Sequence, residues 1–310
     1  MRKIVVTGAT SMLGSALISR LVQDKSVEII YAVIRPNSDK VKRIPKDERV
    51  RCFECDIMEY DKLCTLIDDK CDVFYHMAWP RTTTYSENVA DMILKCDAVK
   101  TVLEAVEVAA KLGCKKFVGA GSQSEYGLPI DGRYTVQTEC LPVRADGVFH
   151  LAAGQAARMA AKTFGITCIW MRIFSVYGIN DRMNSMVNDT IIKLINGEHC
   201  SFTKSEQKWD YVYSDDVADA FYLVGKRINE DKIYNVANGN AKVLKEYIEI
   251  IKEVVSPNAE LGIGEKEYPT DPIMNMVVDV SELIKDTAWY PKTDFKSGIQ
   301  KVYKYILKTV

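Results

Sequence analysis

The sequence predicts an α/β protein: a doubly wound parallel sheet carrying a smaller, loop-rich lobe. Three observations predict it. Short apolar runs alternate with longer amphipathic ones through the first half of the chain. A glycine-bearing turn, VTGATSMLGS, joins the first apolar run to the first amphipathic one. After Tyr177 the alternation loosens, and Gly, Pro, Asn and Asp cluster around 178–184, 256–264 and 268–275.

Each element follows in order. KIVVTGA reads as a buried strand, and MLGSALISRLVQD has helical spacing. EIIYAVI is a second strand and VRCFECD a third, followed by a helix over YDKLCTLIDD. CDVFYHMA is a fourth strand, leading to a long helix from about Ser86 to Leu112. KKFVGAGS is a fifth strand, the alanine-rich Val148–Phe164 region a helix, and TCIWMRIF a sixth strand. Strands separated by helices require crossover connections, which pair strands in parallel and cover both faces of the sheet. In the second half, MVNDTIIKLINGE reads as a helix ending near Gly197, and WDYVYSDDVADAFYLVGKR as strand, loop and helix. LKEYIEIIKEVV and SGIQKVYKYILKTV add two helices. No Gly/Ser or Pro-rich linker separates the halves, so the second lobe is built onto the first. The expected division is 1–175, with 207–237 returning to it, and 176–310.

Composition excludes several roles. The chain has 310 residues, 47% hydrophobic and 27% charged, with 41 basic and 42 acidic side chains. A net charge of −1 leaves no electrostatic footprint for nucleic acid or an anionic membrane. No run of about eighteen apolar residues is present, so no membrane span is expected. Met1-Arg2-Lys3 leads straight into IVVTGAT without an apolar targeting stretch. The nine scattered cysteines therefore read as reduced thiols, and the expected location is the cytoplasm. Cys52 and Cys55 form a lone C-x-x-C with no second pair at zinc spacing; small buried hydrophobes, and no metal, are expected.

The glycine turn carries chemistry. Gly8 permits a tight turn, and Gly14 lets helix and strand pack closely, with Ser11 where a middle glycine usually stands. The helix N-terminus behind it offers free N–H groups and a positive dipole end to a pyrophosphate. Such a turn, placed between strand and helix, marks a Rossmann-type dinucleotide site rather than a bare structural turn. Arg35 stands at the end of the second strand, with Lys40 and Lys42 nearby, where an NAD site favours an acidic residue. A guanidinium suits a 2′-phosphate, so NADP(H) is expected ahead of NAD(H), unless Arg35 is only a solvated surface charge. Asp56, ending the third strand, suits either a hydrogen bond to adenine or an N-cap for the next helix.

The motifs TGATSMLG, CDI, YHMAW, GAGSQSEYG, RIFSVYG, WDYVYSDDVADAF, YNVANG and DVSELIKDTAWYPKT, in that order, resemble the extended short-chain dehydrogenase/reductases. That family comprises NAD(P)-dependent sugar-nucleotide epimerases, dehydratases and reductases, and the resemblance covers nearly the whole chain. It implies a dinucleotide path along Gly8, Thr10, Ser11, Met12, Leu13, Gly14, Arg35, Asp56, Ile57, Met77, Ala78, Asp97, His150 and Phe174. It implies a smaller α/β substrate-binding lobe, a nucleoside-diphosphate sugar as ligand, and a homodimer through the helices Ser86–Leu112 and Val148–Phe164. Sugar contacts are implied at Ser122, Ser124, Tyr126 and Ser175, and a diphosphate contact at Lys208, with Lys204 beside it. Asp97 stands where the family usually has asparagine, and Trp209 where it has arginine.

The largest departure lies in LPVRADGVFHLAAGQ. The family's tyrosine and lysine, which exchange a proton with the sugar hydroxyl and hold the nicotinamide ribose, map onto Asp146 and His150. Residues four apart share a helix face, so a carboxylate can hold an imidazole in one tautomer. One expectation is functional substitution: His150 handles the proton, Asp146 orients it, and Ser122 holds the hydroxyl. Against it, imidazole is shorter than lysine, and an aspartate's ordinary pKa lies about six units below a tyrosine's. The alternatives are a catalytically impaired protein that still binds cofactor or sugar nucleotide, and a structural subunit without ligand. His76 reads as structural, and His199 has no assigned role.

Overall fold

The computed structural model describes residues 1–80, 89–128, 132–270 and 272–309, apart from the side chains of Asp91 and Leu94. The expected helix start at 86–88 and residue 271 of the last loop cluster lie outside the described residues. Strands β1 (Lys3–Thr7), β2 (Ile29–Ile34), β3 (Val50–Glu54), β4 (Val73–His76) and β5 (Lys116–Ser122) alternate with helices α1 (Met12–Leu21), α2 (Leu63–Leu66) and α3 (Val89–Lys111). A short strand β6 (Arg133–Tyr134) and helix α4 (Ala145–Phe164) precede β7 (Thr167–Ile173). Then come β8 (Val176–Tyr177), α5 (Met186–Ile195), β9 (Cys200–Phe202), β10 (Lys208–Trp209), β11 (Val212–Tyr213) and α6 (Ser214–Arg227). There follow β12 (Lys232–Val236), β13 (Lys242–Val243), α7 (Leu244–Val255), β14 (Leu261–Ile263), β15 (Val277–Val278), α8 (Ser281–Thr287) and α9 (Phe295–Thr309).

Seven strands form one sheet in the order β12–β7–β5–β4–β1–β2–β3. Every pairing in it is parallel. The fold is the expected Rossmann-type α/β architecture. The chain adds strands to one side of β1 and then to the other, so the strand order reverses between β1 and β4. Crossovers leave opposite faces there, and a crevice opens at the carboxyl ends of those strands.

Side chains alternate across the sheet as the pleat demands. Ile4, Val6, Ile30, Ala32, Val118, Ile169 and Met171 join α1 and α6 in one core. Val5, Tyr31, Val33, Phe74, Phe117, Cys168 and Trp170 join α3 and α4 in another. Each fully buried aliphatic side chain contributes about 1.5–3 kcal/mol. A third core, around Tyr177, Ile191, Tyr213, Tyr247, Phe295 and Ile299, holds the elements after β8 together. Asp210 ties the third core to the sheet: its buried carboxylate accepts the N–H groups of Asn238 and Gly239 at 2.7 and 2.8 Å. No helix among the described residues is long and apolar enough to cross a membrane.

The edge strand β12 and helix α8 were not expected from the sequence, and two expected helices differ in extent. The helix over 60–69 shrinks to the single turn Leu63–Leu66, preceded by a 3₁₀ stretch. Ile67 turns extended after it, and Asp69 just beyond is held by Lys3 and Tyr31 from the neighbouring strands. Conversely α4 begins at Ala145, three residues before the apolar periodicity, which puts Asp146 inside its first turn.

Trp170 on β7 occupies a notch cut by glycines. A Cβ on Gly154 of α4 would lie 2.7 Å from its indole, and one on Gly119 of β5 2.4 Å. The buried indole cannot retreat, so Gly154→Ala is expected to destabilise the protein by about 1–3 kcal/mol in a chemical denaturation curve.

Candidate active site

The crevice between β1 and β4 holds the glycine turn. Gly8 has φ +63°, and a Cβ there would lie 2.8 Å from the backbone of Met77 and Ala78. A Cβ on Gly14 would lie 2.2 Å from the Gly8 carbonyl oxygen. Both glycines are therefore demanded by contact. Ser11 can replace the middle glycine because it is the N-cap of α1: its Oγ accepts the Gly14 N–H at 3.0 Å. The first turn of α1 has no acidic residue, so its positive end faces the crevice unneutralised. This cradle fits a pyrophosphate.

A cavity of about 470 Å³ extends from the cradle. Gly8, Thr10, Ser11, Arg35, Asp56, Ile57, Met77, Ala78 and Asp97 line it, all of them expected. Ser38, Lys40 and Arg43 line it too. Arg43, unnoticed in the sequence, donates to the carbonyls of Thr10 and Asn180 at 3.3 and 3.4 Å. Lys42 is exposed and does not border the cavity. Asp56 caps the turn after β3 by accepting the Met58 N–H at 2.9 Å. Cys55 is buried there as a small hydrophobe, and burial pushes its thiol up to about 11, whereas Cys52, expected to be buried too, is exposed.

A larger cleft of about 980 Å³ continues over the ends of β5 and β7. Met12, Leu13, Ser122, Ser124, Asp146, His150, Phe174 and Ser175 line it, joined from the chain after β8 by Arg182, Gln207, Trp209 and Tyr211. Trp79, Ser11 and Met77 border both spaces. The hydroxyls of Ser122 and Ser124 are 2.9 Å apart. Beneath them Glu125 is almost fully buried and accepts three donors: the Ser122 N–H at 2.9 Å, Trp170 Nε1 at 2.9 Å and Arg172 Nε at 2.8 Å.

Asp146 and His150 both face the cleft, but the expected link between them is corrected. His150 Nδ1 lies 2.8 Å from the Asp146 backbone carbonyl, while the Asp146 carboxylate lies 3.7 Å from Arg144 Nε. Helical side chains lean towards the N-terminus, so the ring reaches the carbonyl of the previous turn before it reaches a carboxylate. A carbonyl only accepts, so Nδ1 carries the proton and Nε2 keeps its lone pair. The ring stacks on Trp79 with centroids 3.9 Å apart and planes 26° from parallel. Loss of solvation pulls its pKa below the ordinary value, against the Asp146 carbonyl and the Glu125 charge. The imidazole is thus neutral near pH 7.

Three expected positions fall elsewhere. Tyr126 is core: its hydroxyl donates to Asn235 at 2.6 Å and its ring lies under Arg172 at 4.4 Å, so it does not line the cleft. Lys208 is exposed in β10 and outside the cleft lining, because strand alternation turns Trp209 inwards instead. Gly14 packs behind the cradle rather than lining it. Lys204 is likewise exposed. His76 is fully buried, 3.0 Å from Thr7 Oγ1, and burial drives its pKa down to about 3. His199 is exposed against Glu265 at 2.7 Å.

The model of the NAD dependent epimerase/dehydratase family matches residues 4–237. The chain belongs to that family. Among curated members, a dTDP-4-dehydro-6-deoxyglucose reductase of Escherichia coli is 23% identical over 98% of this chain and 97% of its own. Among solved structures, a UDP-N-acetylglucosamine 4-epimerase from Methanobrevibacter ruminantium superposes with TM-score 0.88 at 19% identity, covering 100% and 99% of the two chains. A UDP-glucuronic acid 4-epimerase from Bacillus cereus, in complex with a fluorinated UDP-sugar and NAD, superposes with TM-score 0.86 at 21% identity, covering 99% and 100%. These likenesses place the chain's fold within the epimerase/dehydratase family.

Two outcomes test this geometry. Glu125→Ala leaves the Arg172 guanidinium buried and unpaired, and is expected to cost about 3–5 kcal/mol in a urea melt. His76 stays neutral when folded but binds a proton near pH 6.5 when unfolded, so stability falls as pH drops below that value. The expected loss is about 3 kcal/mol by about pH 4.5, and His76→Gln should flatten this acid limb when melts are compared across pH.

Proposed function

We propose that the protein is an NAD(P)-dependent oxidoreductase or epimerase acting on a nucleoside-diphosphate sugar, with His150 in the proton-handling role that the family gives to a tyrosine. The observation that carries this reading is the state of His150: a neutral ring with Nδ1 committed to a carbonyl, on a residue that lines the same cleft as Ser122 and Ser124. A nicotinamide cofactor, when bound, supplies hydride exchange with a sugar carbon. Ser122, with Ser124 against it, orients the sugar hydroxyl. Nε2 of His150 takes up the hydroxyl proton and returns it. Asp146 contributes through its carbonyl rather than its carboxylate.

NADP(H) is favoured over NAD(H). Arg35 follows β2 where a carboxylate would accept the ribose 2′-hydroxyl, and Arg35, Lys40 and Arg43 border the same cavity. The division into a cofactor half, 1–175 with 207–237 returning, and a sugar-nucleotide lobe, 176–310, is supported by α6 packing on α1 and β12 joining the sheet. A homodimer through α3 and α4 is supported by the solvent-facing Leu103, Val148, Met159 and Phe164. The second reading, a binding protein impaired in catalysis, is favoured by one observation: the carboxylate in the tyrosine's place turns to Arg144.

Calorimetric titration should give tighter binding of NADPH than of NADH, with Arg35→Ala weakening NADPH about tenfold and leaving NADH unchanged. His150→Ala should lower turnover of an identified sugar nucleotide about 10²- to 10⁴-fold. Full turnover in that variant rejects the proton role; no binding of either cofactor rejects the enzyme.

A further inference from the structure

We infer that Trp79 is a positioning residue for His150: its indole holds the imidazole in the plane in which Nδ1 meets the Asp146 carbonyl and Nε2 is left free to handle the proton. The inference rests on the proton role proposed for His150 and deepens it.

Trp79 is itself held from two directions. Its Nε1 donates to the Ala120 carbonyl of β5 at 3.0 Å, which sets the plane of the indole. The Trp170 ring meets it edge-on, with centroids 6.3 Å apart and planes at 80°. Trp170 in turn is bonded to the buried Glu125 carboxylate. The plane of Trp79 is therefore inherited from the sheet, not from the flexible end of a side chain. Against that plane the imidazole lies at 3.9 Å.

An imidazole needs such a clamp, whereas an ammonium does not. The basic atom of lysine sits at the end of a stem and presents the same charge in any rotation. The χ2 torsion of histidine is broad, so without a wall against its face the ring can swing out of the plane in which Nδ1 meets the Asp146 carbonyl, and its two nitrogens then lose their distinct roles. The hydrogen bond at Nδ1 resists a half-turn of the ring, which would put a carbon against the carbonyl. The stacked indole holds its face, and the two contacts together leave a single orientation. The charges around the ring come from Lys95 on the inner face of α3, from Glu125 after β5, and from Arg144 and Asp146 at the start of α4, while Arg172 is already paired with Glu125. These set the ring's charge; Trp79 sets its plane.

The chain has three histidines, which makes the test direct. Full-length protein labelled with ¹⁵N-histidine, examined by long-range ¹H–¹⁵N correlation at about pH 8, should show His150 as the Nδ1–H tautomer alone. His150→Gln identifies the signal. Free neutral imidazole prefers the Nε2–H form, so Trp79→Leu should restore a mixture. The same variant should lower kcat about 10- to 100-fold, more than it changes KM. Trp79→Phe, which keeps a ring, should recover the tautomer and most of kcat. Cofactor titration of each variant separates a lost fold from a lost clamp. A pure Nδ1–H tautomer and wild-type kcat in Trp79→Leu overturn this inference alone. Full turnover in His150→Ala overturns the proton role, and the Trp79 inference with it.

Discussion

The Glu125 carboxylate joins the end of β5 to the end of β7, and the site hangs from it. It accepts the Ser122 backbone N–H, the Trp170 indole and the Arg172 guanidinium, with both ion-pair partners almost fully buried. A buried ion pair adds little net stability, because desolvation offsets the attraction; breaking one is costly because the survivor is stranded. Its effect here is on placement. Ser122 is fixed by its own N–H, Trp170 is fixed in its glycine notch, and Trp79 is braced against Trp170. His150 then lies on Trp79. A chain of contacts thus runs from one anion in the core to the imidazole that lines the cleft.

The cofactor half of the crevice is built on different physics. Its cradle is backbone: two glycines that no side chain could replace without collision, and a helix N-terminus capped by Ser11. Its far end is charge, with Arg35, Lys40 and Arg43 around one cavity. Backbone recognises the pyrophosphate that every dinucleotide shares, and side-chain charge distinguishes one dinucleotide from another. The two contributions can change independently: Ser11 keeps the cradle intact where a glycine usually stands, while Arg35, Lys40 and Arg43 set the charge of the far end.

The sequence by itself determined the sheet. Alternating apolar runs and the glycine turn predicted parallel strands, crossover helices and ligands at the strands' carboxyl ends, because these depend on local periodicity and on backbone sterics that a few residues dictate, whereas the strand order and the edge strand β12 came from the tertiary structure. It also made most of the crevice lining legible, since those residues follow the strand ends in a regular way. It identified Asp146 and His150 as the departure from the family pattern. The tertiary structure alone decided how that pair is arranged. Whether His150 meets a carboxylate or a carbonyl depends on side-chain direction in a helix beginning three residues earlier than its periodicity suggests. Trp79 and Arg43 were illegible because each acts on a partner more than thirty residues away, through contacts that leave no local pattern. Tyr126 and Lys208 misled for the converse reason: their motifs are local, but burial against Asn235 and the alternation of β10 decide which way they face. Periodicity specifies elements; only packing specifies which atoms face one another.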